Sequence, residues 1–582
     1  MFEPVKELWP HLSSRRKKQI LLLILLTIFA SIFEIVSIGS VVPFLGVLLS
    51  PDKIFNNEDF SYALQFLEIN SIDNLAPKIT ILFILSALFS GVSRFLLLYM
   101  QKFLGHGIGS DISISIFKRT LYQPYKVFMV RNSSKIISGI STKISVVTGS
   151  TILPIFQFMS SSFIIFSIVI VLIIVNPLVS IIVFLGFGSM YALMMLLSKN
   201  KLKKNSIRIS KSSDLLIKAI QEGLGGIRDI IVNSTQEVYC KVYNDCDRPL
   251  RKAKANNEII YGMPKFLIET IGIVAIAFIA FSFTKTDGGL AVQIPLLGAF
   301  AIGAQKLLPL LQQLYASISQ IKGEKSSFRD VMELLNQPMP KNHNKPFSNI
   351  AFNSNIELKA IFFRYDNSSL NWTLNNVNIK VKKGEKIGLI GSTGSGKSTL
   401  IDLILGLLNP SQGHFLVDGV VIDANNSKSW QSKIAHVPQD IFLADASVKQ
   451  NIAFGVNNIN MERVKQAARN AEISDFIESL PLGYDTNIGE RGVKFSGGQQ
   501  QRLGIARALY KSADLIIFDE ATSALDRKTE KEVMNSIDSL SKSVTIILVA
   551  HRISSLSNCD RIIQIENGSI KRIDTYKNII KD

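Results

Sequence analysis

Apolar positions crowd the first 325 residues of the chain and thin out after them. Runs at 19–49, 79–104, 146–175, 178–197, 259–283 and 290–321 each reach about the 20 apolar residues that cross a hydrocarbon core as a helix. Beyond residue 355 the pattern changes. Alternating positions in Ile356-Glu357-Leu358-Lys359 and Val377-Asn378-Ile379-Lys380-Val381 predict strands, and strand and helix patterns then alternate to residue 582, as in an α/β domain. The hydrophilic stretch 322–355, with Pro338, Pro340 and Pro346, reads as the connection, with domains at 1–330 and 356–582 and a linker at 331–355.

The polar segments between the apolar runs divide by charge. Segment 105–145 carries Lys118, Arg119, Lys126, Arg131, Lys135 and Lys143, and segment 198–258 is richer still in Lys and Arg. The stretch after the first run instead holds Asp52, Glu58, Asp59, Glu68 and Asp73. With Arg15-Arg16-Lys17-Lys18 before the first run, this asymmetry gives six spans, both termini in the cytoplasm, and helices that continue beyond the bilayer. It also accounts for the net charge of +18 without nucleic acid as a partner. Phe2, Val5, Leu8, Trp9 and Leu12 interleave with polar residues, as in a helix lying on the inner membrane face rather than a cleaved leader. A similar stripe from Phe60 to Ile69 predicts a short amphipathic helix outside. Cys240, Cys246 and Cys559 match no metal or disulfide spacing and read as free thiols.

The chemistry lies in the second part. Gly391-Ser392-Thr393-Gly394-Ser395-Gly396-Lys397-Ser398, followed by Thr399, sits between the apolar run Ile387-Gly388-Leu389-Ile390 and an amphipathic helix. This is a phosphate-binding loop: backbone N–H groups wrap nucleotide phosphates, Lys397 reaches the β- and γ-phosphates, and the Ser398 hydroxyl binds Mg²⁺. Gln439 follows a short strand. Ser496-Gly497-Gly498-Gln499 opens a helix, and the apolar strand Leu515-Ile516-Ile517-Phe518 delivers Asp519 and Glu520, one to hold Mg²⁺ and one to polarise the attacking water. Ser523-Ala524-Leu525-Asp526 and His551 complete the series.

In this order the motifs resemble the ATP-binding cassette (ABC) family over the whole chain from Ile356 onward. The resemblance implies that Tyr365 stacks on adenine, Gln439 is the Q-loop residue, and Ser496 to Gln499 is the signature. It makes Glu520, His551 and Gln439 the catalytic set and Asp526 part of the nucleotide site. The Mg²⁺ ligands are then Ser398, Gln439 and Asp519. Phe495 stands where the family usually has Leu. The implied fold is multidomain: an all-α six-helix transmembrane domain of the type IV exporter kind, followed by an α/β P-loop nucleotide-binding domain. One phosphate loop and one signature per chain imply a homodimer with two composite ATP sites in a cell membrane, with a bacterial inner membrane expected. The segment from Tyr122 to Phe128 is similar to the family's coupling helix, although its residues alone fit a plain helix turn equally well. Thr486 to Gly492 is similar to the exporter segment that touches the cytoplasmic loops.

Five ionisable residues fall inside the apolar runs: Glu34, Arg94, Lys265, Glu269 and Lys306. Glu34, Arg94 and Lys306 lie deep, where a charge needs a partner or a wet cavity, while Lys265 and Glu269 are one turn apart and suited to pair with each other. The structural expectation is a Glu34–Arg94 salt bridge. The functional one is a cavity in which Arg94, Lys265 and Lys306, beside Glu34, receive an anionic headgroup. The sequence around Glu34, Arg94, Pro264-Lys265 and Lys306-Leu307-Leu308-Pro309 resembles the PglK group, flippases of lipid-linked oligosaccharides, which more often have arginine where this chain has Lys265 and Lys306. That resemblance implies translocation of a polyprenyl-diphosphate glycan or a related amphipathic lipid across the bilayer. Drug or peptide export is the alternative. Of other classes, the six runs exclude a soluble cassette ATPase acting on nucleic acid, and Glu520 argues against an ATP-gated channel.

Overall fold

A computed structural model of the chain describes residues 2–49, 51–55, 71–175, 177–283, 289–340, 350–366, 371–521, 527–538, 544–550 and 553–580. The expected outer helix at 60–69, the external loop 284–288, Ser523 to Asp526 and His551 lie outside them. The described residues form two compact units, Met1–Gln123 with Arg131–Met339 and Pro124–Val130 with Pro340–Asp582.

The first unit is helical. A short α1 (Phe2–Leu8) and a 3₁₀ turn (Trp9–His11) lead into α2 (Ser14–Gly39), whose N-cap Ser13 accepts from the Arg16 N–H at 3.3 Å. The first apolar run is interrupted at Ser40 and resumes as α3 (Val41–Leu49), because Pro43 has no N–H for the Gly39 carbonyl. Then come α4 (Leu75–Leu121), α5 (Ser133–Ile174), α6 (Pro177–Gly225), α7 (Gln236–Phe283), α8 (Gly289–Gly323) and α9 (Lys325–Leu335). The 47, 49 and 48 residues of α4, α6 and α7 give about 70 Å of helix each, more than twice the hydrocarbon thickness, so they extend well past the bilayer as expected. Among the described residues, Ser14–Leu48, Leu75–Leu121, Ser133–Ile174 and Ser180–Gly225 are long and apolar enough to cross a membrane. Several of their hydroxyls bond back along the helix, as Thr27 Oγ1 does to Leu23 O at 2.8 Å and Ser31 Oγ to Thr27 O at 2.9 Å.

Two features of this unit depart from the sequence reading. The linker expected to begin at 331 is still helix: α9 buries Phe328, Val331, Met332, Leu334 and Leu335 and shows Arg329 and Glu333 to solvent, a two-faced pattern whose average hydropathy resembles a linker. In α5, π-helical turns occupy Gly139–Lys143 and Thr148–Ile152. They coincide with close approaches: a Cβ on Gly139 would lie 2.3 Å from Leu334, and one on Gly109 of α4 would lie 2.3 Å from the Thr148 hydroxyl.

The second unit carries two sheets. The strands are β1 (Asn355–Phe363), β2 (Leu374–Lys382), β3 (Lys386–Ile390), β4 (Gln412–Val417), β5 (Val420–Val421), β6 (Ile434–Val437), β7 (Leu515–Asp519), β8 (Thr545–Val549), β9 (Arg561–Glu566) and β10 (Ser569–Asp574). The antiparallel sheet runs β2-β1-β4-β5 and the other runs β10-β9-β3-β8-β7-β6, parallel from β9 to β6. Central strands β3, β7 and β8 are buried almost throughout, which explains their continuous apolar sequences. Their C-terminal ends deliver the phosphate loop and Asp519 to one edge, where ligands bind in open parallel sheets.

Candidate functional site

The phosphate loop leaves β3 and enters α10 (Lys397–Ile404), with Gly396 as N-cap. Gly394 (φ +80°) and Gly396 (φ +104°) hold the left-handed backbone that turns the chain. At Gly391 a Cβ would lie 2.4 Å from the Ile565 carbonyl oxygen, so only glycine fits. Lys397 Nζ folds over the loop, donating to Gly391 O at 2.7 Å and Ser392 O at 2.9 Å. Ser392, Thr393 and Ser398 are exposed on the loop and the first turn, whereas the buried Ser395 hydroxyl has no partner. Tyr365 packs edge-on against Phe363, and its hydroxyl lies 2.9 Å from Thr399 Oγ1, which places the ring beside the loop.

Two carboxylates follow at the end of β7. Glu520 sits at φ +53°, unusual for a non-glycine residue, and its N–H bonds to Val549 O at 3.0 Å. The strained turn aims its carboxylate at Gln439, whose Nε2 donates to Glu520 Oε2 at 2.8 Å. Asp519 faces Asp402 of α10, and burial together with the Asp519 charge pushes the Asp402 carboxyl up to about 6. The sequence reading missed Asp402. Its signal was a lone acid in the apolar run Leu400-Ile401-Asp402-Leu403-Ile404.

The signature is built around a helix cap. Ser496 opens α11 (Gly497–Tyr510) with a capping box: Gln499 N–H donates to Ser496 Oγ at 3.3 Å and Ser496 N–H to Gln499 Oε1 at 2.8 Å. Gly497 and Gly498 thereby begin the helix with bare backbone N–H groups. Just upstream, Gly489, Arg491 and Gly492 are all left-handed, at φ +78°, +53° and +70°. The segment Tyr125–Val130 is a short helix within the second unit, and Tyr125 lies in electrostatic reach of Asp402 and Tyr365.

In the membrane part, Glu34 of α2 is completely buried. Lys306 Nζ of α8 is 3.0 Å from Glu34 Oε1, and Arg94 of α4 is 3.8 Å from the same oxygen. Ser90 donates to Glu34 Oε2 at 2.5 Å, and Lys306 also donates to Ser37 at 3.2 Å. The expected Glu34–Arg94 pair is therefore the looser of two contacts, because Lys306 from α8 occupies the closer position. Two cations share one carboxylate, and Arg94 keeps 40% of its side chain exposed. Lys265 does not join this group. It pairs with Glu269 at 3.9 Å along α7, both half exposed, as its one-turn spacing predicts.

Comparison with known proteins follows the same division. The ABC transporter transmembrane region family matches residues 19–302 and the ABC transporter family matches residues 374–523. The heterocyst differentiation ATP-binding protein HepA of Nostoc sp. is 27% identical over 97% of this chain and 92% of its own. An ATP-dependent lipid A-core flippase of Alkalilimnicola ehrlichii is 26% identical over 85% of this chain and 83% of its own. A putative multidrug export ATP-binding/permease protein of Bacillus subtilis, YgaD, is 40% identical over 39% of each chain. Among solved structures, a bacterial Atm1-family ABC exporter with ATP bound superposes with a TM-score of 0.78 at 19% identity, covering 97% of this chain and 96% of its own, a likeness of fold. With a helical membrane part that carries one family signature and an ATP-binding part that carries the other, the chain belongs to the ABC transporters, as a half-transporter of the exporter type that couples ATP hydrolysis to transport.

Proposed function

We propose that this exporter is a homodimer that flips a lipid carrying an anionic diphosphate headgroup, a polyprenyl-diphosphate glycan or a related amphipathic lipid, outward across a bacterial inner membrane. The observation that carries the reading is the buried Glu34 shared by Lys306 and Arg94. One carboxylate against two cations leaves a net positive charge at membrane depth, which is costly unless it meets an anion. Relatives named as lipid A-core flippases support a lipid cargo.

In the ATPase half, Lys397 and the loop N–H groups hold the phosphates, Tyr365 lies beside the base, and Glu520 orients the attacking water with Gln439 as its hydrogen-bond partner. Ser398, Gln439 and Asp519 are the oxygen donors suited to Mg²⁺, which when bound neutralises charge on the phosphates. Asp526 and His551 complete the set by their place in the motif order, and Ser496 to Gln499 of one subunit closes over the phosphate loop of the other.

The test is ATPase stimulation in lipid nanodiscs by a polyprenyl-diphosphate oligosaccharide, against the diphosphate-free glycan and a hydrophobic cation. Stimulation that requires the diphosphate and falls at least about tenfold in Arg94→Ala is the expected outcome. Because Lys306 keeps Glu34 paired, that variant retains its fold and basal turnover. Stimulation by the cation alone would reassign the protein as a multidrug exporter.

A further inference from the structure

The cytoplasmic parts of α6 and α7 lie side by side, held by a small core of Ile209, Leu250 and Ala253 and by Asn205 Nδ2, which donates to Asn257 Oδ1 at 2.8 Å. Along this seam opens a hollow of about 770 Å³. Helix α6 supplies Lys204, Arg208 and Lys211 to its wall, at i, i+4 and i+7, and α7 supplies Arg248 and Lys252, at i and i+4. Each helix thus turns one stripe of cations onto the same space. None of the five makes an ion pair among the described residues, although neighbours on the same helices do: Lys218 meets Glu222 at 3.6 Å and Arg251 meets Asp247 at 3.1 Å. The lining holds a single acid, Asp245, so five cations face one carboxylate. Between the stripes Ser212 is only 8% exposed and lines the hollow, and its hydroxyl has no hydrogen-bond partner among the described residues. A buried hydroxyl left unbonded is costly, and here it is turned toward the space a polar ligand would fill.

The cytoplasmic bias toward Lys and Arg accounts for the number of cations in this segment, but not for two stripes turned onto one hollow. Nor does the bilayer answer them. Lys204 stands seven residues beyond the apolar run that ends at 197, and Lys252 stands seven before the run that begins at 259, about 10 Å of helix in each case. Arg208 and Arg248 are each eleven residues out, about 16 Å, and Lys211 is fourteen, about 21 Å. The headgroup layer adds only about 5–8 Å to each side of the hydrocarbon, and salt screens its charge within about 8 Å.

We propose that this hollow binds a small ligand carrying several phosphate groups, spread along the roughly 10 Å of α6 between Lys204 and Lys211. The apolar part of such a ligand rests on Ile207, Leu215 and Pro249. Phosphate suits the wall because each group brings up to two charges and accepts the two-pronged bonds of a guanidinium, which Arg208 and Arg248 offer from opposite helices. A ligand with one negative charge would leave most of the cations unanswered. The same chemistry is carried by a free cytosolic polyphosphate and by a lipid headgroup whose outer phosphates reach past the membrane surface. The site is independent of which cargo is transported.

Inositol hexakisphosphate is the probe, titrated by calorimetry into the full-length protein in phosphatidylcholine nanodiscs without ATP or Mg²⁺. Saturable binding is expected, weakened at least about tenfold in Arg208→Gln with Arg248→Gln. Lys199→Gln with Lys203→Gln removes the same charge from exposed positions of α6 outside the hollow, and is expected to weaken binding less than about threefold. All four side chains are exposed, so both variants keep the fold and basal ATPase activity. Absence of binding in the wild-type protein would overturn the proposal, as when a second copy of the chain covers the hollow. So would equal losses in the two double variants, the mark of a diffuse field, or binding that neither variant weakens, as when the probe sits on the phosphate loop. Nanodiscs containing phosphatidylinositol bisphosphate, against phosphatidylglycerol of equal total charge, separate the two sources. Displacement of the probe by the bisphosphate lipid supports a headgroup as the occupant, and undiminished affinity supports a free cytosolic compound.

Discussion

A buried carboxylate without a counterion keeps its proton well above the usual range, and Glu324 is such a group. It sits between α8 and α9 with 6% of its surface exposed, and the Ser327 hydroxyl donates to it at 3.1 Å. Burial raises its pKa from 4.5 to about 7, against the weaker opposing pull of Ser327 and Lys254. Between those values the folded chain holds a proton that the unfolded chain has released, so stability falls as pH rises from 4.5 to 7 and levels off above. The full shift corresponds to at most about 3 kcal/mol. Glu324→Gln, which keeps a partner for Ser327, is expected to flatten this part of the thermal-stability profile and raise the melting temperature at pH 8. An unchanged slope would place the proton elsewhere. Such a residue is hard to read from sequence, since Lys322-Gly323-Glu324-Lys325 looks like a solvated link. The nucleotide residues were legible for the opposite reason: phosphate chemistry demands glycine, lysine and serine at fixed spacing, so Gly391 to Ser398 declare themselves, whereas Asp402 acquires its character only from the fold bringing Asp519 beside it.

Helices α5, α6 and α9 are pinned together by one buried ammonium. Lys143, 3% exposed and inside a π-helical turn, is 2.8 Å from Asp214 and 2.6 Å from Asp330, and it also donates to Ser210 at 3.3 Å. Removing a buried cation strands its carboxylates, so Lys143→Met should destabilise the first unit by ~3–5 kcal/mol. Adding Asp214→Asn and Asp330→Asn should recover much of that loss, as thermal unfolding in detergent would show. If the triple variant is no better than the single one, the shape of the lysine rather than its charge matters. The long helices themselves were plain from hydropathy. Their π turns were not, because nothing in Gly139-Ile140-Ser141-Thr142-Lys143 alone reports that Leu334 and Asp330 will press on that face. The pairing of Glu34 was half legible for a similar reason: depth along each span can be counted, but the rotation of α8 that brings Lys306 closer than Arg94 is set by packing.

For the whole molecule, the proposed homodimer with two composite sites would make each chain's activity depend on its partner. When wild type is co-reconstituted with increasing proportions of Lys397→Ala, ATPase activity should fall more steeply than in proportion, to roughly a quarter at an equal mixture if mixed dimers are inactive. A linear decline would mean that each chain works alone. The chain also crosses between its two units three times, at Gln123/Pro124, Val130/Arg131 and Met339/Pro340. The membrane half thus lends a short helix to the body that holds the nucleotide. Modularity in this protein therefore does not follow the linear order of its domains. A chimera that swaps only 340–582 for the ATPase of another transporter would leave Tyr125–Val130 facing a foreign surface. A graft that moves 124–130 together with 340–582 exchanges a complete body, and the two cut points near Pro124 and Arg131 are where an engineer, or recombination followed by repair, would have to join old chain to new.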